Sequence, residues 1–82
     1  MASYTVETVL SPELATQKAV AYFGEDFLKL KIMEQQDCCA HLMGGGGFVR
    51  VRSVAGEEGA KIYFETLEWD MYVRQFMRQI SK

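Results

Sequence analysis

The chain of 82 residues is poor in the residue types that most often build metal and acid–base sites, with one histidine, two cysteines and one proline. A zinc site needs three or four ligands, and Cys39 and His41, on one side of a predicted strand, supply only two. A single histidine without an acid or base at a suitable spacing argues against general acid–base catalysis. We therefore predict no metal site, no cofactor and no catalytic residue, and so a protein that is not an enzyme.

The two cysteines, Cys38 and Cys39, are neighbours in the sequence. A disulfide between neighbours closes a strained ring and seldom stabilises a fold, so we expect both to be free thiols in a reducing compartment. The first ten residues lack the basic segment and apolar core of a secretion signal, and no apolar run reaches the ~20 residues that cross a bilayer. These features predict a cytoplasmic protein without membrane association.

Neither sign of charge dominates, since 9 basic and 11 acidic residues give a net charge of −2. A dedicated nucleic-acid binder needs a concentrated excess of Lys and Arg, so the composition argues against nucleic acid as the main partner. The 49% of hydrophobic residues is typical of a globular protein, and the length suits a single domain over residues 1–82. A core this small is only marginally stable, which favours a homo-oligomer, with a dimer as the expected form.

Hydrophobic periodicity predicts an α+β fold. Alternation with a period of two indicates strands, and apolar residues three and four apart indicate helices that begin near Pro12 and Asp70. We expect Ser11 and Asp70 to be N-caps, and Gly24 to end the first helix in a left-handed conformation. The predicted strands are residues 3–10, 28–32, 38–43, 48–54 and 61–69, and the predicted helices are residues 12–23 and residue 71 onward. Their order, β-α-β-β-β(-β)-α, predicts an antiparallel sheet of four to five strands with two helices packed on one face.

Two short segments allow more than one local structure. Residues 34–37 are polar and fit either a hairpin turn or a bulge in one long strand. Residues 44–47 are four consecutive glycines, which favour a flexible loop between strands. A phosphate-binding loop would need Lys and Ser or Thr directly after the glycines and then a helix, whereas Phe48 and a predicted strand follow.

Two groups of residues are candidate binding sites. Aromatic residues near the ends of the predicted helices could line a cavity for a ligand, and they are Tyr22, Phe27, Trp69, Tyr72 and Phe76. The second group, Arg50, Arg52 and Lys61, points outward from neighbouring strands and predicts a basic face. Phe48 and Tyr63 on the same strands could stack nucleic-acid bases.

These features lead to three functional hypotheses. The leading one is a small non-enzymatic, self-associating interaction or accessory module, because a small core and an open sheet favour pairing with a second copy. The alternative is a carrier or sensor of an apolar small molecule, bound by the aromatic group between the sheet and the C-terminal helix. The second alternative is a weak single-stranded nucleic-acid binder that uses the basic face.

Overall fold

The computed structural model describes residues 1–82 and confirms the predicted α+β fold, with the element order β-α-β-β-β-β-α. The longest helix has 11 residues, and none of the helices has the length and apolarity of a membrane span. The elements are β1 (Ala2–Thr8), α1 (Pro12–Val20) with a π-helical turn that continues it (Ala21–Glu25), β2 (Lys31–Gln35), β3 (Cys39–Gly44), β4 (Gly47–Ala55), β5 (Ala60–Leu67) and α2 (Asp70–Ile80).

All five strands form one antiparallel sheet in the spatial order β1-β5-β4-β3-β2. Strands β2 to β5 follow one another as hairpins, whereas β1 lies beyond β5 at the far edge. The two edge strands are therefore β1 and β2, and β4 is the central strand.

One face of the sheet packs against the helices and forms the core. Alternate residues of the strands are fully buried there, including Leu42, Val49 and Phe64. Phe23 from the π-helical turn and Phe76 from α2 meet Phe64, with ring centroids 5.6 to 6.5 Å apart. Burying apolar side chains of this size is the main source of stability in a domain this small.

The predicted start of α1 is confirmed, but its predicted end is wrong. Ser11 is the N-cap and its Oγ accepts a hydrogen bond from the Leu14 N–H at 3.2 Å. Gly24 does not terminate the helix in a left-handed conformation, because it lies inside the π-helical turn. A Cβ at Gly24 would lie 3.2 Å from Leu42 and 3.3 Å from Ile32, so the glycine instead allows the helix to approach the sheet closely.

The strand predicted at residues 28–32 begins later, at Lys31. The helix carbonyls of Tyr22 and Phe23 accept hydrogen bonds from the N–H groups of Leu28 and Leu30. Lys29 takes a positive φ of 61° there. The alternation read as a strand is therefore a helix-terminating turn that buries Leu30.

The hairpin interpretation of residues 34–37 is correct, although the turn lies slightly later. Strands β2 and β3 pair as antiparallel neighbours around a turn at residues 36–38. A bulge is present too, because the register shifts between Ile32 and Glu34. The bulge bends β2 and interrupts its ladder near Met33.

The glycine run connects β3 and β4 as the predicted hairpin loop, but the loop is tighter than expected, because only Gly45 and Gly46 lie outside the strands. Gly44 and Gly47 pair as the last residues of β3 and β4. Gly45 and Gly46 have φ of 58° and 80°, which are the signs that a two-residue type I′ turn requires. Gly45 also lies against Trp69, whose indole N–H donates to the Gly44 carbonyl at 3.0 Å.

Asp70 is not the N-cap of α2. Trp69 occupies that position without a side-chain capping bond, and Asp70 is the first helical residue. Its carboxylate accepts a hydrogen bond from the Tyr4 hydroxyl at 2.8 Å, which ties α2 to β1. The Asp70 carboxylate therefore binds the Tyr4 hydroxyl, whereas the local capping rule predicted that it would bind the backbone of α2.

The expectation of free thiols is wrong, because Cys38 and Cys39 form a disulfide. Strand alternation would place neighbouring side chains on opposite faces. Only Cys39 belongs to β3, however, and Cys38 lies in the preceding turn. The alternation that keeps neighbours apart therefore does not apply at this pair.

Candidate binding surface on the open face of the sheet

The second face of the sheet carries no helix, and we call it the open face. Register places two rows of side chains across its centre. The first row is Glu34, His41, Arg50, Glu65 and Ser3, and the second is Cys39, Arg52, Tyr63 and Thr5. All of these side chains line one concavity of about 550 Å³.

The two central arginines stack on aromatic rings. The Arg50 Cζ lies 5.2 Å from the centroid of Phe48, and the Arg52 Cζ lies 4.4 Å from the centroid of Tyr63. The one ion pair of the chain joins Lys82 and Glu7 at 3.3 Å, so neither guanidinium has a carboxylate partner. A guanidinium that lies over an aromatic ring still has its N–H donors available to an anion.

The predicted basic residues Arg50, Arg52 and Lys61 all lie on the open face. Lys61 lies one row beyond the concavity, with its Nζ 5.5 Å from the Tyr63 centroid. Acidic residues lie among them, since Glu65 pairs with Arg50 and Glu7 pairs with Lys61 in the register, and Glu34 ends the row of Arg50 beyond His41. The open face is therefore a surface of mixed charge rather than a continuous basic stripe.

One end of the open face is apolar. Met43, Phe48 and Leu67 lie together beside the glycine turn, with Met33 from the bulge of β2 near them. Met33, Met43 and Leu67 are between 39% and 50% exposed, although they are large hydrophobic residues. An apolar patch next to polar rows is typical of a surface that contacts a partner or ligand.

The structure brings the predicted aromatic group together as a chain of rings. Tyr22 lies 5.2 Å from both Phe27 and Phe76, and Tyr72 lies 6.0 Å from Phe27 and 5.8 Å from Trp69. A cleft of about 490 Å³ runs between the π-helical turn and α2, and Tyr22, Phe27 and Phe76 line it. Trp69 and Tyr72 do not line this cleft, because their rings pack against the glycine turn and Phe27.

Two tyrosines in this region have perturbed titration. The hydrogen bond to Asp70 raises the pKa of Tyr4, because ionisation would place a phenolate beside a carboxylate. Burial raises the pKa of Tyr22, whose hydroxyl donates to Gln75 at 3.3 Å. Both hydroxyls are thus held as neutral donors that fasten α2 to the rest of the fold.

No group of three or more His, Cys, Asp or Glu side chains is arranged to hold a metal ion.

The outer edge of β1 is a surface that the sequence reasoning missed. The Glu7 carbonyl accepts a hydrogen bond from the Lys82 N–H at 3.2 Å, so Glu7 directs its backbone groups away from β5. Backbone direction alternates along a strand, so Ser3 and Thr5 also present their N–H and C=O outward. The sequence did contain a signal for an exposed strand edge, because residues 2–6 contain no Lys, Pro or Gly that would protect such an edge from pairing.

Comparison of the chain with protein-family models, curated proteins and solved structures finds no match. The geometry of the open face, the aromatic cleft and the β1 edge therefore carries the functional argument.

Proposed function

We propose that the protein is a non-enzymatic, self-associating interaction module, and that two copies pair through β1. The contrast between the two sheet edges supports this assignment. Strand β2 is short, bulged and carries Lys31 and Glu34, all of which discourage pairing. Strand β1 is regular over seven residues, and its exposed edge has no such protection before Glu7.

A two-fold axis near Tyr4 would place β1 antiparallel to its copy. Ser3 of one copy then faces Thr5 of the other, and each such pair exchanges two backbone hydrogen bonds. Four hydrogen bonds contribute about 2 to 6 kcal/mol at roughly 0.5–1.5 kcal/mol each. A dissociation constant between about 10 μM and 1 mM corresponds to about 4 to 7 kcal/mol, which is the range we expect. The product is a continuous ten-stranded sheet with both open faces on one side.

Sedimentation equilibrium from 10 μM to 1 mM tests this pairing. Thr5→Pro removes an outward N–H that no internal bond uses, and we expect at least a tenfold weaker dimer. Thr5→Val is the matched control, because it keeps the N–H and suits a strand. Circular dichroism shows that both variants fold. A wild-type protein that stays at 9.3 kDa throughout, or a Thr5→Pro dimer as tight as wild type, would contradict the proposal.

The aromatic cleft favours a second candidate function, binding of an apolar small molecule. Phe27 lines the cleft and is 54% exposed, although its ring centroid lies 5.2 Å from Tyr22 and 6.0 Å from Tyr72. A thermal-shift titration with dodecanoate or naphthalene tests the cleft, and we expect stabilisation that Phe27→Ala abolishes. Met71→Ala is the control, since Met71 is 55% exposed on α2 and does not line the cleft. Equal shifts in both variants would exclude the cleft as the site.

Single-stranded nucleic acid is a weaker proposal for the open face. The guanidiniums of Arg50 and Arg52 already lie over its two aromatic rings, Phe48 and Tyr63, so those ring faces offer a run of bases no direct stacking contact. The acidic residues between the basic ones also reduce the attraction for a phosphate chain.

The proposed compartment is the cytosol, on the grounds of the sequence features given above, although reducing conditions keep most cytosolic cysteines as thiols and Cys38 and Cys39 form a disulfide. Fractionation of cells should place the protein in the cytosolic fraction. Recovery of the protein in a membrane-enclosed or secreted fraction would contradict a cytosolic location.

A further inference from the structure

We propose that the concavity on the open face binds a small organic ligand that carries an oxyanion and a flat ring. The oxyanion is a phosphate or carboxylate group, and Arg50 and Arg52 are its recognition residues. Ser3 and Thr5 of β1 contribute side chains to one end of this site, whereas the proposed pairing uses their outward backbone groups, so ligand binding does not require self-association. Its volume of about 550 Å³ is within the roughly 300–1,000 Å³ of small-molecule sites.

The oxyanion would bind the in-plane donors of the two arginines. Both guanidiniums line the same concavity and neither has a carboxylate partner within the chain. Arg50 and Arg52 are two residues apart on the central strand, so they point to the same side of the sheet. Stacking on Phe48 and Tyr63 restricts their motion, which lowers the entropy lost when an anion binds.

The flat ring would stack on the outer face of Arg52. Tyr63 covers one face of this guanidinium, with 4.4 Å between the Arg52 Cζ and the ring centroid. Arg52 is exposed, and Tyr63 is the one ring recorded beside its guanidinium. A guanidinium between two rings gains a cation–π contact on each side.

The two glutamates of the concavity restrict the ligand further. Glu34 and Glu65 lie on either side of the His41–Arg50 pair in the same row. Carboxylates accept hydrogen bonds, so they suit hydroxyl or amino groups on the ligand and repel additional anionic groups. A ligand with one anionic group and several donors fits this row, and a nucleoside monophosphate has that chemistry.

Titration of ¹⁵N-labelled protein with adenosine monophosphate, inorganic phosphate and adenosine tests the site, with Arg Nε–Hε and backbone signals as readouts. We expect adenosine monophosphate to shift the signals of Arg50, Arg52 and His41. Its dissociation constant should be at least tenfold below those of phosphate and adenosine. Indole-3-carboxylate in place of the nucleotide distinguishes a carboxylate ligand from a phosphate ligand. Repeating the titration at a low and a high protein concentration separates failure of this site from failure of dimerisation, because only dimerisation depends on the concentration of the protein.

Arg52→Ala should weaken the binding of adenosine monophosphate at least tenfold. Arg52→Lys keeps the charge but loses the planar donors, so it should recover only a small part of the affinity. Arg78→Ala on the exposed side of α2 removes the same charge from the opposite side of the sheet and should leave binding unchanged. Equal losses in Arg52→Ala and Arg78→Ala would overturn the proposal by indicating a net-charge effect. It would also be overturned if neither ring-bearing anion bound below 10 mM, or if affinity for oligothymidylate rose with chain length beyond that of the mononucleotide.

Discussion

The two faces of the sheet come from the same five strands, yet they differ in what their side chains contact. On the covered face, Phe64, Val49 and Leu42 pack against the helices with almost no exposure. On the open face, their sequence neighbours Tyr63 and Arg50 contact other side chains of the same face. Substitutions one residue apart should therefore affect different properties, stability on the covered face and binding on the open face.

The largest contrast in stability is expected between Phe64 and Tyr63. Phe64→Ala empties a site that is 1% exposed, and such truncations cost about 3–5 kcal/mol. That is a large part of the total stability of a small domain, so we expect partial unfolding at 25 °C. Tyr63→Ala on the open face should cost less than about 1 kcal/mol. Urea unfolding followed by circular dichroism measures both, and similar losses would contradict the division between the faces.

A medium effect is expected at the polar contact within the covered face. The hydroxyl groups of Thr16 on α1 and Ser53 on β4 share a hydrogen bond of 2.8 Å and are buried. Thr16→Val leaves the Ser53 hydroxyl without a partner, at a cost of about 1–3 kcal/mol. Adding Ser53→Ala should restore part of that loss, because no unpaired donor remains. If the stability losses of the two single variants simply add in the double variant, the two hydroxyls do not stabilise each other.

A smaller effect should appear as a pH dependence at the junction of β1 and α2. Because Asp70 raises the pKa of Tyr4, the folded state favours the neutral phenol more than the unfolded state does. This stabilisation is fully present below the ordinary tyrosine pKa of 10.0 and is lost as pH rises through the raised value. The free energy of unfolding should therefore fall more steeply in the wild type than in Tyr4→Phe as the pH rises above 10.0. Parallel curves for the two proteins would contradict this coupling.

The smallest effect is expected for the ion pair between Glu7 and Lys82. Its side chains are 61% and 41% exposed, so solvent screens their attraction. Glu7→Gln should change the unfolding free energy by less than about 0.5 kcal/mol, and this difference from the wild type should shrink as salt is added. A loss above 1 kcal/mol would mean that the C-terminus anchors the end of β1 more strongly than this contact indicates.

The sequence predicted the fold class and element order because strand alternation and helix periodicity are strong at residues 48–67 and in α2. It failed where tertiary contacts compete with local rules. Gly24 resembles a helix-ending residue, but the sheet needs its missing side chain for close approach. Residues 28–30 alternate like a strand, although helix carbonyls bind their backbone.

Part of the candidate site could also be predicted. Alternation alone put Arg50, Arg52 and Lys61 on one face, as the structure has them. The other residues of the candidate site could not be predicted, because cross-strand register places them beside Arg50 and a single sequence does not determine that register. These residues are His41, Glu34 and Glu65. The exposed β1 edge likewise depends on the sheet order, because β1 would be an interior strand in other arrangements.

Amide hydrogen exchange at β1 tests self-association most directly. Tyr4 and Val6 direct their N–H groups toward β5, so they should be protected at every protein concentration. Ser3 and Thr5 should be unprotected at 10 μM and become protected at 1 mM, as their N–H groups bond to the second copy. If Ser3 and Thr5 exchange equally fast at both concentrations, β1 does not pair with another copy and the proposed dimer is wrong.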